Sequence, residues 1–200
     1  MKKQLTLIRH GAIAASLDGC YVGRLNEPLS VKGKLQATRL ANCLQKRNID
    51  ALWCSPALRA VETSVPIAKQ LNLTVSNKKD LDEVDFGRWE GMTFEQICSA
   101  DPHLVTKWSE LAEDFCFPEG ESHIKFQQRV ARVVKDIRNS EQTNIVLVTH
   151  GGVIRSLICQ LLGYHYRDRL KFEIVRGGLV TFDLYSQGAV LTGLYNEPAL

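Results

Sequence analysis

Two histidine–glycine steps, His10-Gly11 and His150-Gly151-Gly152, each close a short apolar run. Imidazole can act near neutral pH as nucleophile, base or cation, depending on its surroundings. Arg9 precedes the first histidine, and Arg59 follows another apolar run, Ala51–Cys54. Ligand sites in open parallel sheets lie beyond the carboxyl ends of the strands. If the two histidine-bearing strands are neighbours, both rings project into one pocket. The glycines after His150, Gly151 first, let backbone N–H groups at a helix N-terminus approach an anion closely. Two arginines, two histidines and a helix N-terminus make a site for a doubly charged phosphoryl group. A lone histidine after a strand is ordinarily a polar loop residue, and only the recurrence beside arginine argues for chemistry. His103, His123 and His165 keep that ordinary reading.

Strand and helix signals alternate along the chain, which predicts an α/β fold with a mostly parallel sheet. Leu5–Ile8 reads as a strand. Ser30 caps a helix whose apolar face is Ala37, Leu40, Ala41 and Leu44, spaced as one helical stripe. Ala51–Cys54 is the next strand, and Ser55-Pro56 reads as an N-cap followed by proline at the first helical position. Arg59 then falls in the early turns of that helix. Thr93-Phe94-Glu95-Gln96 is a capping-box pattern. A longer helix runs from about Ser122 to Asn139, with Phe126, Val130, Val133, Val134 and Ile137 as its buried stripe. Asn144–Thr149 is β-branched and reads as a buried strand. Ile154, Leu157, Ile158 and Leu161 mark the following helix face. Leu179–Leu184 and Ala189–Leu194 flank Ser186-Gln187-Gly188 as an antiparallel hairpin at the sheet edge. Asn77–Gly91 lacks periodicity and reads as a loop carrying Asp82, Glu83, Asp85 and Glu90.

The chain has 200 residues, 44% hydrophobic and 24% charged, as an ordinary globular domain does. One domain over residues 1–200 is expected at this length. No apolar run approaches the ~20 residues of a membrane helix. The net charge of +3, from 25 basic and 22 acidic side chains, is too balanced to indicate a nucleic-acid partner. Leu5–Ile8 falls short of the ~7–15 apolar residues of a secretory signal and is cut by Arg9-His10, so the reading is cytoplasmic. The 6 cysteines are scattered without zinc-site spacing and read as small hydrophobes in a reducing compartment. No metal site is expected. Asn72-Leu73-Thr74 is a chance sequon in that setting.

At these residues the sequence resembles the histidine phosphatase superfamily, also called phosphoglycerate mutase-like. Leu7-Ile8-Arg9-His10-Gly11 is similar to the family's defining tripeptide in its strand. Gly23–Gly33, Cys54–Thr63, Leu81–Gly91 and Thr149–Gly152 resemble further family segments, in family order along nearly the whole chain. The resemblance implies a three-layer α/β/α fold with an antiparallel edge. It also implies a phosphohistidine mechanism that uses no metal or other cofactor. His10 would attack phosphorus, while Arg9, Arg59 and His150 hold the phosphoryl oxygens. Glu83 would protonate the leaving alkoxide and later activate water. From the residues alone Glu83 competes with Asp82, Asp85 and Glu90, and the family pattern selects it. Gly23 and Gly151 would border the substrate.

Family members often carry Glu-Thr and then an asparagine after the tripeptide, where this chain has Ala12, Ile13 and Ser16. Ser16 would still donate one hydrogen bond to the phosphate. Cys20 and Val22 stand where arginine and glutamine are frequent. The rim is therefore less polar and suits a substrate with an apolar or aromatic portion. Leu17–Gly23, Gly120–Val130 and Val175–Gly178 resemble the branch that acts on α-ribazole 5′-phosphate in cobalamin nucleotide-loop assembly. The alternatives are a phosphoglycerate mutase, a broad sugar-phosphate phosphatase, and a non-catalytic phosphate sensor. Mutases carry a longer insertion after the acidic loop, whereas 36 residues separate Glu83 from Gly120 here. The partner expected is a small phosphomonoester, and the terminal hairpin offers an edge for a homodimer.

Overall fold

The computed structural model describes residues 2–110 and 114–197. Six strands form one sheet: β1 (Lys3–Arg9), β2 (Ala51–Cys54), β3 (Val75–Asn77), β4 (Asn144–Thr149), β5 (Leu179–Tyr185) and β6 (Gly188–Tyr195). Their order is β3-β2-β4-β1-β5-β6. The first four are parallel, and β5 and β6 close the sheet antiparallel. The hairpin predicted at residues 179–194 is this edge.

Helices α1 (Val31–Leu44) and α2 (Leu58–Leu71) cover one face. Leu40, Ala41, Leu44, Ala60 and Ile67 pack there against Ile8, Leu52, Val146 and Val148. Helices α5 (His123–Asn139) and α6 (Gly151–Leu162) cover the other face. Phe126, Val130, Ile154 and Leu157 meet Leu5, Leu7 and Leu147 there. Alternate residues of β1 and β4 thus serve two cores, as a two-sided sheet requires. The predicted stripes are buried except Val134, which is partly covered.

The caps follow the sequence at three helices. Ser30 Oγ accepts from the Gly33 N–H, and Ser122 caps α5 by accepting from Lys125. Thr93 opens the short α3 (Phe94–Ala100) with a reciprocal capping box to Gln96. The cap expected at Ser55 needs correction. Helix α2 starts at Leu58 with Ala57 as N-cap, not at Pro56 behind Ser55. The Leu58 N–H donates instead to the Asn26 side chain at 2.9 Å, so a distant loop caps the helix. Ser55 is bonded elsewhere.

Two elements carry no signal strong enough to predict. Strand β3 has three residues, only one of them covered. Helix α4 (Pro102–Ser109) has no fully buried residue, and its Leu104, Val105 and Trp108 only partly pack on the core. The acidic loop carries two short 3-10 turns, Lys79–Leu81 and Gly87–Trp89.

Candidate active site

Strands β1 and β4 run side by side, with Arg9 opposite Thr149. His10 and His150 are the next residues of each, so both leave the sheet at the same edge. The His10 N–H donates to the Thr149 carbonyl at 2.9 Å, and the two imidazole centroids lie 5.1 Å apart, edge to face. Both rings are buried. His150 is also the N-cap of α6, so that helix opens at the pair.

Hydrogen bonds assign the His10 tautomer. Nδ1 lies 2.8 Å from the Gly11 carbonyl, which only accepts, so Nδ1 carries the proton. Nε2 is left with its lone pair, and the Arg59 Nε–H donates to it at 3.2 Å. Arg59 is 1% exposed and held by two more bonds at 2.6 Å, to the Leu25 and Gly23 carbonyls. Gly23 permits this through a left-handed φ of 49°, and Phe86 and Glu90 fill the space a side chain there would take. Gly23 thus orients Arg59 through its carbonyl. Arg9 lies against Gly151 and donates from Nη1 to the Ile174 carbonyl at 2.7 Å. Its Nε is buried without a hydrogen-bond partner among the described residues.

Burial pushes both histidines well below the ordinary value, and the Arg59 and Arg9 charges act in the same direction. Both rings are therefore neutral. Burial also lowers Arg9 to about 10, partly offset by Glu83, and it lowers Arg59. Two guanidinium groups and two neutral imidazoles in a desolvated pocket favour an incoming anion.

The four loop carboxylates separate clearly. Glu83 is half-buried and accepts from the Gly152 N–H at 3.0 Å, placing its carboxylate at the N-terminus of α6 beside the histidines. A Cβ on Gly152 would lie 3.2 Å from the Glu83 carboxyl carbon and closer still to Oε1. Asp85 accepts from Gly87, and Glu90 accepts from Arg24. Asp82 is turned inward, pairs with Arg24, and accepts from the Ser55 hydroxyl at 2.7 Å. Ser55 in turn lies 2.8 Å from His150 Nε2.

The structure thus brings together Arg9, His10, Arg59, Glu83, His150 and Gly151. Ser16 sits apart, exposed on the 3-10 turn Ala15–Leu17, and no described hydrogen bond ties it to this cluster. Sequence reasoning missed Ser55 and Asp82 behind His150, and Gly152 as the donor to Glu83. It also missed a clamp on the acidic loop. Arg129 of α5 makes a two-pronged ion pair with Glu121 and donates to the Asp80, Asp82 and Glu83 carbonyls at 2.6–2.9 Å. A polar residue on an otherwise apolar helix stripe, one turn from Phe126, is the signal for it. Among the described residues no group of three His, Cys, Asp or Glu is placed to hold a metal.

The profile of the histidine phosphatase superfamily (branch 1) matches residues 5–197. An adenosylcobalamin/α-ribazole phosphatase of Escherichia coli K12 is 30% identical, over 94% of this chain and 93% of its own. Phosphoserine phosphatase 1 of Hydrogenobacter thermophilus is 32% identical, over 80% of this chain and 76% of its own. The crystal structure of the α-ribazole phosphatase from Shigella flexneri superposes with a TM-score of 0.87 at 29% identity, covering 97% of this chain and 96% of that one.

Proposed function

The chain belongs to the histidine phosphatase superfamily, branch 1, and is a phosphoric monoester hydrolase acting on small phosphate substrates; we propose the roles of its residues and its substrate within that family. The observation that carries the roles is the unprotonated His10 Nε2, whose lone pair meets only the Arg59 Nε–H, with the ring proton held on Nδ1 by Gly11. A nucleophile needs that state before substrate arrives. Nε2 attacks phosphorus, an N–P bond forms, and the P–O bond to the alcohol breaks. Arg9, Arg59 and His150 hold the phosphoryl oxygens as charge spreads over them. Glu83 gives its proton to the departing alkoxide. It then takes one from water, which attacks the phosphohistidine and restores His10. Gly23 borders this pocket by orienting Arg59 through its carbonyl, and Gly151 by leaving room for the Arg9 guanidinium. Ser16, exposed on the 3-10 turn Ala15–Leu17, is kept only as an outer substrate contact.

The substrate proposed is α-ribazole 5′-phosphate. Two relatives named for that activity support it, as does the apolar rim at Cys20 and Val22. Beside that rim Tyr21 meets Phe86 and Trp108 edge to face, and the three rings pack on the core behind it. Phosphoserine is the second reading. Arg176 at the mouth pairs with Asp18 and adds positive charge at Arg9, His10 and Arg59, as a counter-ion for a substrate carboxylate would.

Phosphate release from α-ribazole 5′-phosphate, phosphoserine and 3-phosphoglycerate tests this, with His10→Ala alongside. Preference for the ribazole compound, lost in the variant together with the phosphohistidine trapped by an alkaline denaturing quench, is the expected result. Preference for phosphoserine overturns the substrate, and full activity of the variant overturns the role of His10. One domain over residues 1–200 is part of this reading, supported by two cores that share a single sheet among the described residues. The cytoplasm is the compartment proposed, in keeping with scattered cysteines that read as small hydrophobes. A homodimer would use the outer strand β6, where Val190, Leu194 and Tyr195 are exposed.

A further inference from the structure

His150 has a second neighbourhood, facing away from His10, that the mechanism above does not use. Ser55 is fully buried, and its oxygen has three polar contacts: the Asp82 carboxylate at 2.7 Å, His150 Nε2 at 2.8 Å and the Ala57 N–H at 3.2 Å. A hydroxyl has one proton and two lone pairs. The carboxylate of Asp82 only accepts, so the serine proton points to it. The amide of Ala57 takes one lone pair. The remaining lone pair faces His150, so Nε2 carries a hydrogen and donates to Ser55. His150 Nδ1 is then the free atom, and it is buried with no hydrogen-bond partner among the described residues.

We propose that Ser55 and Asp82 are positioning residues that hold His150 as the Nε2–H tautomer and let its Nδ1 take up a proton when a phosphoryl group arrives. The inference rests on the reading that this site binds phosphoryl groups. In the free protein Arg59, His10, Arg9 and Arg129 all oppose a cation at His150, from α2, β1 and α5. A bound dianion reverses that balance on the Nδ1 side. On the other side Ser55 relays the Asp82 charge to Nε2–H, so the ring can carry protons on both nitrogens. His150 then meets the phosphoryl oxygen as a charged donor, about twice as strong as a neutral one.

The decisive variant is Asp82→Asn. Arg24 donates to the outer oxygen of Asp82, which forces the amide oxygen of asparagine to that side and its NH2 toward Ser55. Ser55 must then accept from asparagine and turn its own proton to His150 Nε2. The ring should switch to Nδ1–H and lose the ability to become a cation. Proton–nitrogen correlation spectra of histidine-labelled protein read this directly, free and with orthovanadate. Expected are Nε2–H in the free wild type and both nitrogens protonated with vanadate. Asp82→Asn should show Nδ1–H in both states, with kcat falling about 10–100-fold, as when the outer partners of a metal-bound histidine are removed. Ser55→Ala should lose the Nε2–H preference, while Glu83→Gln should keep it. Nδ1–H in the free wild type, or an unchanged tautomer in Asp82→Asn, overturns the proposal. If the wild type shows Nε2–H yet neither binds vanadate nor cleaves a phosphomonoester, the function fails while the tautomer assignment stands.

Discussion

Replacing Gly152 by alanine moves the carboxylate of Glu83 without deleting it. Gly152 is helical, so alanine fits its backbone and adds up to about 1 kcal/mol of helix propensity. The new Cβ would come within 3.2 Å of the Glu83 carboxyl carbon and overlap Oε1. The backbone of α6 is fixed by its packing on β1, so the side chain of Glu83 must give way. That breaks the bond from the Gly152 N–H, a contact of about 1 kcal/mol. The two effects oppose, and stability should stay within about 2 kcal/mol of wild type. Catalysis should not stay level. General acid–base assistance is worth about 10²–10⁴-fold, or about 3–5 kcal/mol of barrier, and it needs hydrogen-bond reach. The assay compares an alkyl phosphate with p-nitrophenyl phosphate in stopped flow. Nitrophenolate leaves without protonation, so the variant should release a burst of about one equivalent and then stall, since water attack on the phosphohistidine also needs Glu83. The alkyl ester should show no burst. A wild-type rate on the alkyl ester would refute the placement of the acid. So would a loss of melting temperature large enough to explain the loss of activity.

Arg129→Ala leaves three carbonyls and the Glu121 carboxylate unpartnered in a buried place. The cost should be about 3–5 kcal/mol, a fall of about 6–20 °C in melting temperature, with Arg129→Lys recovering little because lysine lacks the fork. A fall under about 2 °C would remove the clamp from the account. His10 and His150 are held well below 6.5, so the unfolded chain binds more protons and stability must drop as pH falls from 6.5 toward their folded values. The slope is up to about 1.4 kcal/mol per pH unit for each histidine, and denaturant titration of His10→Ala should lose one such share; parallel curves for variant and wild type would contradict it. Turnover should persist in excess chelator because the proposed steps use only side chains, and restoration of a chelated enzyme by magnesium or zinc would count against them.

Much of the fold was legible because its signals are local. Ser30, Thr93 and Ser122 cap their own helices within a few residues, and the stripes at Leu40 and Phe126 repeat at the helical period. Local signals misled at Ser55-Pro56. The serine has a cap's chemistry and accepts from the Ala57 N–H, but Asp82 of the acidic loop and His150 at the head of α6 share its hydroxyl, and the helix starts later, at Leu58.

The candidate histidines, arginines and acidic loop could be named from residue types and spacing alone, since chemistry resides in side chains and strand ends are marked by the glycines that follow. Three matters were decided only in three dimensions. Strand β4 inserts between β2 and β1, and its pairing with β1 sets the two histidines 5.1 Å apart across 140 residues of chain. Among four acids within nine positions, the turn at Lys79–Leu81 and the grip of Arg129 send Asp82 inward to Ser55 and Glu83 to the mouth of α6. The tautomers of both histidines follow from which oxygen each ring nitrogen meets. Periodicity and capping act between residues a few positions apart and are written in their order. Strand pairing, rotamer choice and proton placement depend on groups that meet only after the layers close.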